Sequence, residues 1–458
     1  MTVSKTLTLY AVYKKLPYTV TFNNNNGTST SKIYTSLTMY ASKNQKVTLP
    51  DVPKVKGYTN LGWTTEKGET ELEYSAGDTV KITKATQFYA VRRKSNYYTV
   101  SYYLGNGSTN AAYQKLTQTV EEGTVVIFAK VPARTGYVNQ GWSSKKNSEK
   151  ATAKAKCTVN KNITLYAVQK KAVQLTFHRC DGSTWQKTTL AKGSSYSLPG
   201  VRDAEGYTFM GWSTKPMQSV SPQYEAEEKI TVNGNVDLYA VVFNRTTETD
   251  LTEDQLPQVD IYKYKQVIFV GDSRTEFMEN VLTGMGESAT KNVKFVCSAG
   301  KGLDWFTTTG WAQLYSIVQH DSNSILSKKT AVIFNFGVND LSKSADYAEY
   351  YNWIAPQLKS KGCELYFMSV NPVNRLMLPN AGRADRSEAA VRSFNQYMKA
   401  NLSSAYTYID MYSYLKSTGY SFASDHYGTG TVDDGLHYTT RTYKRIFAKC
   451  MDSLRVPA

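Results

Sequence analysis

The sequence predicts a multidomain chain: tandem small β-rich repeats, then an α/β/α doubly wound parallel sheet. Three observations carry this. An aromatic motif recurs three times in the first 243 residues. Near Tyr262 the hydrophobic pattern changes from strict alternation to short apolar runs separated by helical stripes. The length of 458 residues exceeds what one ordinary core supports. The expected boundaries are 1–16 for the tail of a truncated repeat, 17–94, 95–171 and 172–243 for three modules, 244–261 for an acidic linker and 262–458 for the α/β domain.

The repeat is anchored by Gly57-Tyr58 with Gly62-Trp63, Gly136-Tyr137 with Gly141-Trp142, and Gly206-Tyr207 with Gly211-Trp212. A Tyr-Ala-Val strand follows each time, at Tyr89–Val91, Tyr166–Val168 and Tyr239–Val241. Each unit opens with an alternating strand, Tyr18–Phe22, Tyr98–Tyr102 or Val173–Phe177, and a turn such as Asn26-Gly27 or Asn106-Gly107 comes next. Period-two alternation rich in Thr, Tyr and Val argues β structure. The Tyr and Trp of each signature are expected in the module's own core, in preference to an exposed pair that binds sugars. Residues Thr6 to Lys15 match only the end of a repeat, so the sequence is expected to begin inside a fourth unit, with more repeats and an export signal upstream. No apolar run reaches the length of a membrane span.

The net charge of +16 is uneven. Residues 1–250 hold 32 Lys and Arg against 18 Asp and Glu, and the remainder 22 against 20. A basic repeat region attracts polyanions such as those of a cell wall, although scattered solubilising lysines are the preferred reading. No compact cluster exists beyond Arg92-Arg93-Lys94 and Lys145-Lys146, so no nucleic-acid partner is expected. Five cysteines without CxxC spacing indicate neither a metal site nor a disulfide framework, and no cofactor is expected.

In the C-terminal part, apolar strands are expected at Val267–Val270, Val293–Val296, Val332–Phe336, Leu365–Val370 and Tyr406–Ile409. Helical patterns lie at Glu276–Leu282, Trp311–Leu326, Ala345–Leu358 and Glu388–Leu402, and a last helix follows His437, running to about Leu454. Alternating β and α predicts a parallel sheet whose site lies at the C-terminal strand ends. Ser273 follows the first strand within Gly271-Asp272-Ser273, where helix-start N–H groups can stabilise negative charge. The alternative is a phosphate-type turn or an ordinary βα loop. Asn339 ends the third strand in Gly337-Val338-Asn339-Asp340, and Asp434-Gly435-Leu436-His437 stands near the C-terminus. Of four histidines, His437 is the best base for Ser273 and His426 the one serious rival. Asp434 could orient the imidazole, or could merely cap a helix with His437 in its first turn.

These three motifs, in this order over about 190 residues, resemble the SGNH (GDSL-type) hydrolase family. The resemblance implies a flavodoxin-like sheet, a catalytic set of Ser273, Asp434 and His437, and an oxyanion hole of Ser273, Gly302 and Asn339. Gly302 is preferred over Gly300, in a second motif that lacks the family's usual Asn. Arg274 stands where the family has Leu; it would steer an anionic substrate or pair with an acidic neighbour. Asn371-Pro372-Val373 is expected to shape the pocket wall, with Arg375 or Arg383 lining it. The repeats resemble the internalin B-repeat (Listeria–Bacteroides) family, with Ala-Val where that family usually has Ala and a second Trp. This implies β-grasp-like modules and a secreted or cell-surface protein. The leading expectation is a serine esterase or deacylase that removes acyl groups, acetyl foremost, from a glycan or other small ester, with the repeats as spacer or anchor. The alternatives are an O-acyltransferase using the same site, or an adhesin with an inactive hydrolase-like domain.

Overall fold

The structure is a computed structural model and describes residues 6, 8, 10–12, 17–25, 31–260, 263–320, 329–378, 386–424 and 433–454. Asn26-Gly27, Arg383, His426 and most of the stretch from Thr6 to Lys15 lie outside the described residues. The chain forms two compact units, Met1–Lys171 and Ala172–Ala458.

The first unit holds two modules of one design. In each, the opening strand lies parallel to the module's last strand, Tyr18–Asn23 beside Thr86–Lys94 in the first. An antiparallel strand flanks each side of that pair, Met39–Ala41 on one and Tyr58–Thr64 on the other. A short helix, Lys32–Thr35 or Ala111–Gln114, sends one tyrosine, Tyr34 or Tyr113, into the core. The signature tryptophans are buried: Trp63 packs edge-on to Phe22 at 4.9 Å, and its indole N–H donates to the Pro50 carbonyl at 2.7 Å. Trp142 does the same to Ala129. The signature tyrosines Tyr58, Tyr137 and Tyr207 behave differently. They open their strands and stay 37–50% exposed, so only half of each signature pair is core.

The second unit contains the third module and the α/β domain. The module keeps the same sheet order, with residues 172–178 of strand Ile163–His178 beside Val236–Asn244, which pairs with Tyr207–Ser213. It has no helix where the first two modules have one. A long strand, Thr184–Ala191, stands there and carries Trp185, which stacks on Trp212 at 5.8 Å.

The α/β sheet has five parallel strands: β1 (Tyr264–Gly271), β2 (Val293–Cys297), β3 (Lys329–Asn335), β4 (Cys363–Met368) and β5 (Tyr406–Ile409). Their order is β2-β1-β3-β4-β5, so β1 lies between β2 and β3 and the order reverses at it. Strand alternation divides the core into two layers. Val267 and Phe269 face the helices α1 (Ser273–Met285), α5 (Met411–Thr418) and α6 (Thr440–Ser453). Ile268 and Val270 face α2 (Trp311–His320), α3 (Ser344–Ser360) and α4 (Glu388–Asn401). The acidic stretch after the third module does more than connect. Leu256 and Val259 join the first of these layers, and the buried Glu248 accepts bonds from Ser421, Thr442 and Arg445. All five strands and five of the six helices begin or end within three residues of their sequence expectation; only α5 has none.

Removing the large ring at the centre of a module leaves a cavity that its short strands cannot close. Trp212→Ala is expected to destabilise the second unit by about 3–5 kcal/mol, read as a lower denaturant midpoint.

Candidate active site

β1 ends at Gly271, and Asp272 takes extended backbone as the N-cap of α1, its carboxylate accepting from the Arg274 N–H at 3.0 Å. Ser273 is therefore the first residue of a thirteen-residue helix, at the positive end of its dipole. The partner segment arrives from the far end of the chain. Asp434 to His437 lie in the strand Asp433–Tyr438 of a small hairpin, paired with Phe422–Ser424. This corrects the helix-cap expectation: α6 starts later, and Thr439 is its N-cap, accepting from the Thr442 N–H.

The structure brings Ser273, His437 and Asp434 into one line. His437 Nε2 lies 2.9 Å from Ser273 Oγ, and His437 Nδ1 lies 2.6 Å from Asp434 Oδ2. The other Asp434 oxygen accepts the backbone N–H groups of Leu436 and His437 at 2.8 and 2.7 Å. Gly435 makes this turn possible. Its φ is +68°, and a Cβ there would stand 2.3 Å from the Asn374 carbonyl oxygen. Phe277, one turn along α1, packs edge-on to the imidazole at 4.5 Å. Burial alone would raise the Asp434 carboxyl, but the hydrogen bonds and charge of His437 outweigh it and hold the group below the usual range. An ionised Asp434 fixes the tautomer that leaves Nε2 facing the serine.

Arg274 does neither of the things expected from its sequence position. It is 2% exposed and donates to three backbone carbonyls: Leu436 at 3.0 Å, Asn371 at 2.9 Å and Pro372 at 2.9 Å. It thus ties the serine turn to the expected pocket wall and to the residue before His437. Its partners are main-chain oxygens, which no sequence motif displays. Arg375 pairs with Glu227 of the third module at 3.0 Å, away from the serine turn. Asn371 is buried, and neither polar atom of its side chain has a partner among the described residues.

Asn339 and Gly302 meet through one peptide. The Asn339 amide nitrogen donates to the Lys301 carbonyl at 2.7 Å, and that carbonyl shares its peptide plane with the Gly302 N–H. This bond uses one of the two amide hydrogens. Arg386, which sequence reasoning missed, donates to Asn339 Oδ1. Because a guanidinium can only donate and a carbonyl only accept, these two bonds fix which way the amide points. Asp340 buttresses the same turn: it accepts from the Leu303 N–H at 2.9 Å and the Tyr347 hydroxyl at 2.7 Å. A Cβ at Gly302 would lie 2.3 Å from that carboxylate, whereas one at Gly300 meets nothing within 4 Å. The close approach of Asp340 therefore requires glycine at 302 and not at 300.

Residues 18–91, 98–168 and 174–241 match the model of the Listeria-Bacteroides repeat domain, and residues 267–450 match that of the GDSL-like Lipase/Acylhydrolase. The chain carries three Listeria-Bacteroides repeats and a GDSL-like domain. A provisionally named Gly-rich membrane protein of Evansella cellulosilytica is 28% identical over 237 residues, 51% of this chain and 26% of its own length. A second provisionally named membrane protein of that organism is 26% identical over 235 residues, covering 51% of this chain and 33% of its own. The chain thus spans a third or less of these relatives. Among solved structures, a provisionally titled SGNH hydrolase from Slackia heliotrinireducens aligns with 42% of this chain and 100% of its own, at 14% identity and a TM-score of 0.31. An acetyl xylan esterase aligns with 42% and 100%, at 11% identity and a TM-score of 0.28. No helix among the described residues is long and apolar enough to cross a membrane.

Burial pushes the Asp272 carboxyl up to about 6, with the Arg274 charge opposing the shift. Between its ordinary 3.8 and that value the folded state binds the proton more tightly, so stability falls as pH rises through this window. In Asp272→Asn, which keeps an oxygen to cap α1, denaturant midpoints are expected to change less between those two pH values than in the native protein. Asn339→Ala should lower kcat about 100- to 1000-fold with the fold retained, measured by ester turnover and circular dichroism.

Proposed function

We propose that the GDSL-like domain is a serine esterase working through an acyl-enzyme. The observation that carries this reading is the hydrogen-bonded line from Ser273 through His437 to Asp434. In this mechanism Ser273 Oγ attacks the ester carbonyl carbon while His437 Nε2 takes its proton. The carbonyl π pair moves onto oxygen, and the oxyanion is met by the Ser273 and Gly302 N–H groups and the Asn339 amide. Collapse re-forms the carbonyl and breaks the bond to the leaving alkoxide, which takes the proton from His437. Water then repeats the cycle on the acyl-serine, releasing the carboxylic acid. Asp434 stays ionised throughout and stabilises the imidazolium.

The substrate class is an O-acylated, foremost acetylated, glycan or another small ester, and the setting is extracellular, with the repeats as spacer or anchor. The repeat resemblance supports this setting.

The test is p-nitrophenyl ester turnover scanned by acyl length. Short chains are expected to be preferred, and Ser273→Ala should lower kcat by roughly 10⁴- to 10⁶-fold. Unchanged turnover in that variant would sink the reading, and a preference for long chains would replace the glycan deacylase by a lipase. Acyl transfer to a sugar hydroxyl in place of water would make the enzyme a transferase.

A further inference from the structure

The three modules share a fold, but the third carries several residues of its own where it meets the α/β domain. Superposing the repeats on their Gly-Tyr and Gly-Trp signatures sets Asp203 against Lys54 and Ala133, and Met210 against Leu61 and Gln140. The paired Trp–Tyr bridges Trp63↔Tyr74 and Trp212↔Tyr224 set Glu225 against Ser75, and Glu227 against Gly77. Each substituted side chain is engaged by the α/β domain. Met210 is fully buried in its core, while Leu61 is 37% exposed. Glu225 and Glu388 flank the buried ammonium of Lys416 at 2.8 and 3.1 Å, and Lys416 also donates to the Met210 carbonyl. Glu227 pairs with Arg375 at 3.0 Å and accepts the Ala389 N–H in the first turn of α4 at 3.3 Å. It does so at a φ of +61°, a left-handed backbone that Gly77 adopts at +88° without a Cβ. A glutamate held where glycine is easier points to selection of its carboxylate.

These contacts converge on the segment 371–376. The Asn374 amide donates to the Val201 carbonyl at 3.0 Å and to Asp203 Oδ1 at 2.8 Å, and Asp203 is itself locked by Arg245 at 2.8 Å. The Asn374 backbone N–H donates to the Gly435 carbonyl at 2.8 Å, between Asp434 and His437. Arg202 bonds the Leu376 carbonyl, and Glu388, held by the module through Lys416, accepts the Val373 N–H at 3.2 Å. A continuous path therefore runs Asp203, Asn374, Gly435, His437.

We propose that the third repeat is a positioning element of the active site: through Asn374 and Glu227 it holds the turn that presents Asp434 and His437 to Ser273. This rests on the esterase reading above. The third module is thus a working part of the hydrolase, whereas spacing or anchoring falls to the modules before it.

The test uses the full chain, p-nitrophenyl acetate as substrate and a fluorophosphonate to count active serines. Asn374→Ala and Glu227→Gly are expected to lower kcat per counted site by about tenfold to a hundredfold, with KM unchanged. Glu227→Gly relieves the backbone, so its thermal midpoint should hold or rise while kcat falls, an opposition that a merely structural contact would not produce. Lys54→Asp, in the first module, should leave both constants alone. Native kcat per counted site in both variants would overturn the proposal and leave the esterase standing. If the native chain turns over no ester and takes up no fluorophosphonate, the esterase reading falls. Hydrogen exchange of residues 434–438 then decides the bracing alone: faster exchange in Asn374→Ala supports it, and unchanged exchange overturns it.

Discussion

A single buried guanidinium holds the architecture of the site together. Arg274 has left water, and its charge is met by three main-chain carbonyls and the face of Tyr438, 5.2 Å away. A lysine could not replace it, since one ammonium cannot reach three diverging oxygens in a plane. Because the carbonyls belong to two segments, Asn371-Pro372 after β4 and Leu436 in the C-terminal hairpin, the bonds fix the spacing of α1 against both at once. The 2.9 Å between Ser273 and His437 is in this sense a loop distance. Two residues 164 positions apart meet because a third, next to one of them, is bonded to the neighbour of the other.

Three aspartates show how differently the site treats one functional group. Asp434 faces a cationisable ring and two N–H donors and stays ionised. Asp272, wholly enclosed, is shifted up towards neutrality. Asp340 is also raised by burial, against the pull of the Leu303 N–H and the Tyr347 hydroxyl. All three accept hydrogen bonds, and the one whose carboxyl is lowered is the one beside the His437 ring. The other two serve geometry, capping a helix and filling the space beside Gly302.

Much of this was legible in the chain. Apolar β-branched runs located the five parallel strands, because a strand buried on both faces has no polar phase to disguise it. Ser273 and Asn339 were legible because each follows such a strand, where topology gathers residues on one rim, and Asp434 and His437 were read from their own short motif. What the sequence hid were directions. Arg274 points inward to backbone oxygens, Arg386 reaches Asn339 across 47 positions, and Asp434 sits in a hairpin although its spacing to His437 suits a helix equally well. The union of the third module with the α/β domain was hidden for another reason. Periodicity emphasises what repeats share, and much of the contact lies in what they do not: Asp203, Glu225 and Glu227, where the first module has Lys54, Ser75 and Gly77.

That asymmetry bears on how such a chain can lengthen or shorten. Tandem units expand and contract by copying errors between similar stretches, and each new copy inherits the surface of its template. A copy descended from the first module would bring a lysine, a serine and a glycine to the positions that clasp the α/β domain. Growth in number is therefore tolerated upstream of Ala172, while the last unit is bound to its neighbour and evolves with it.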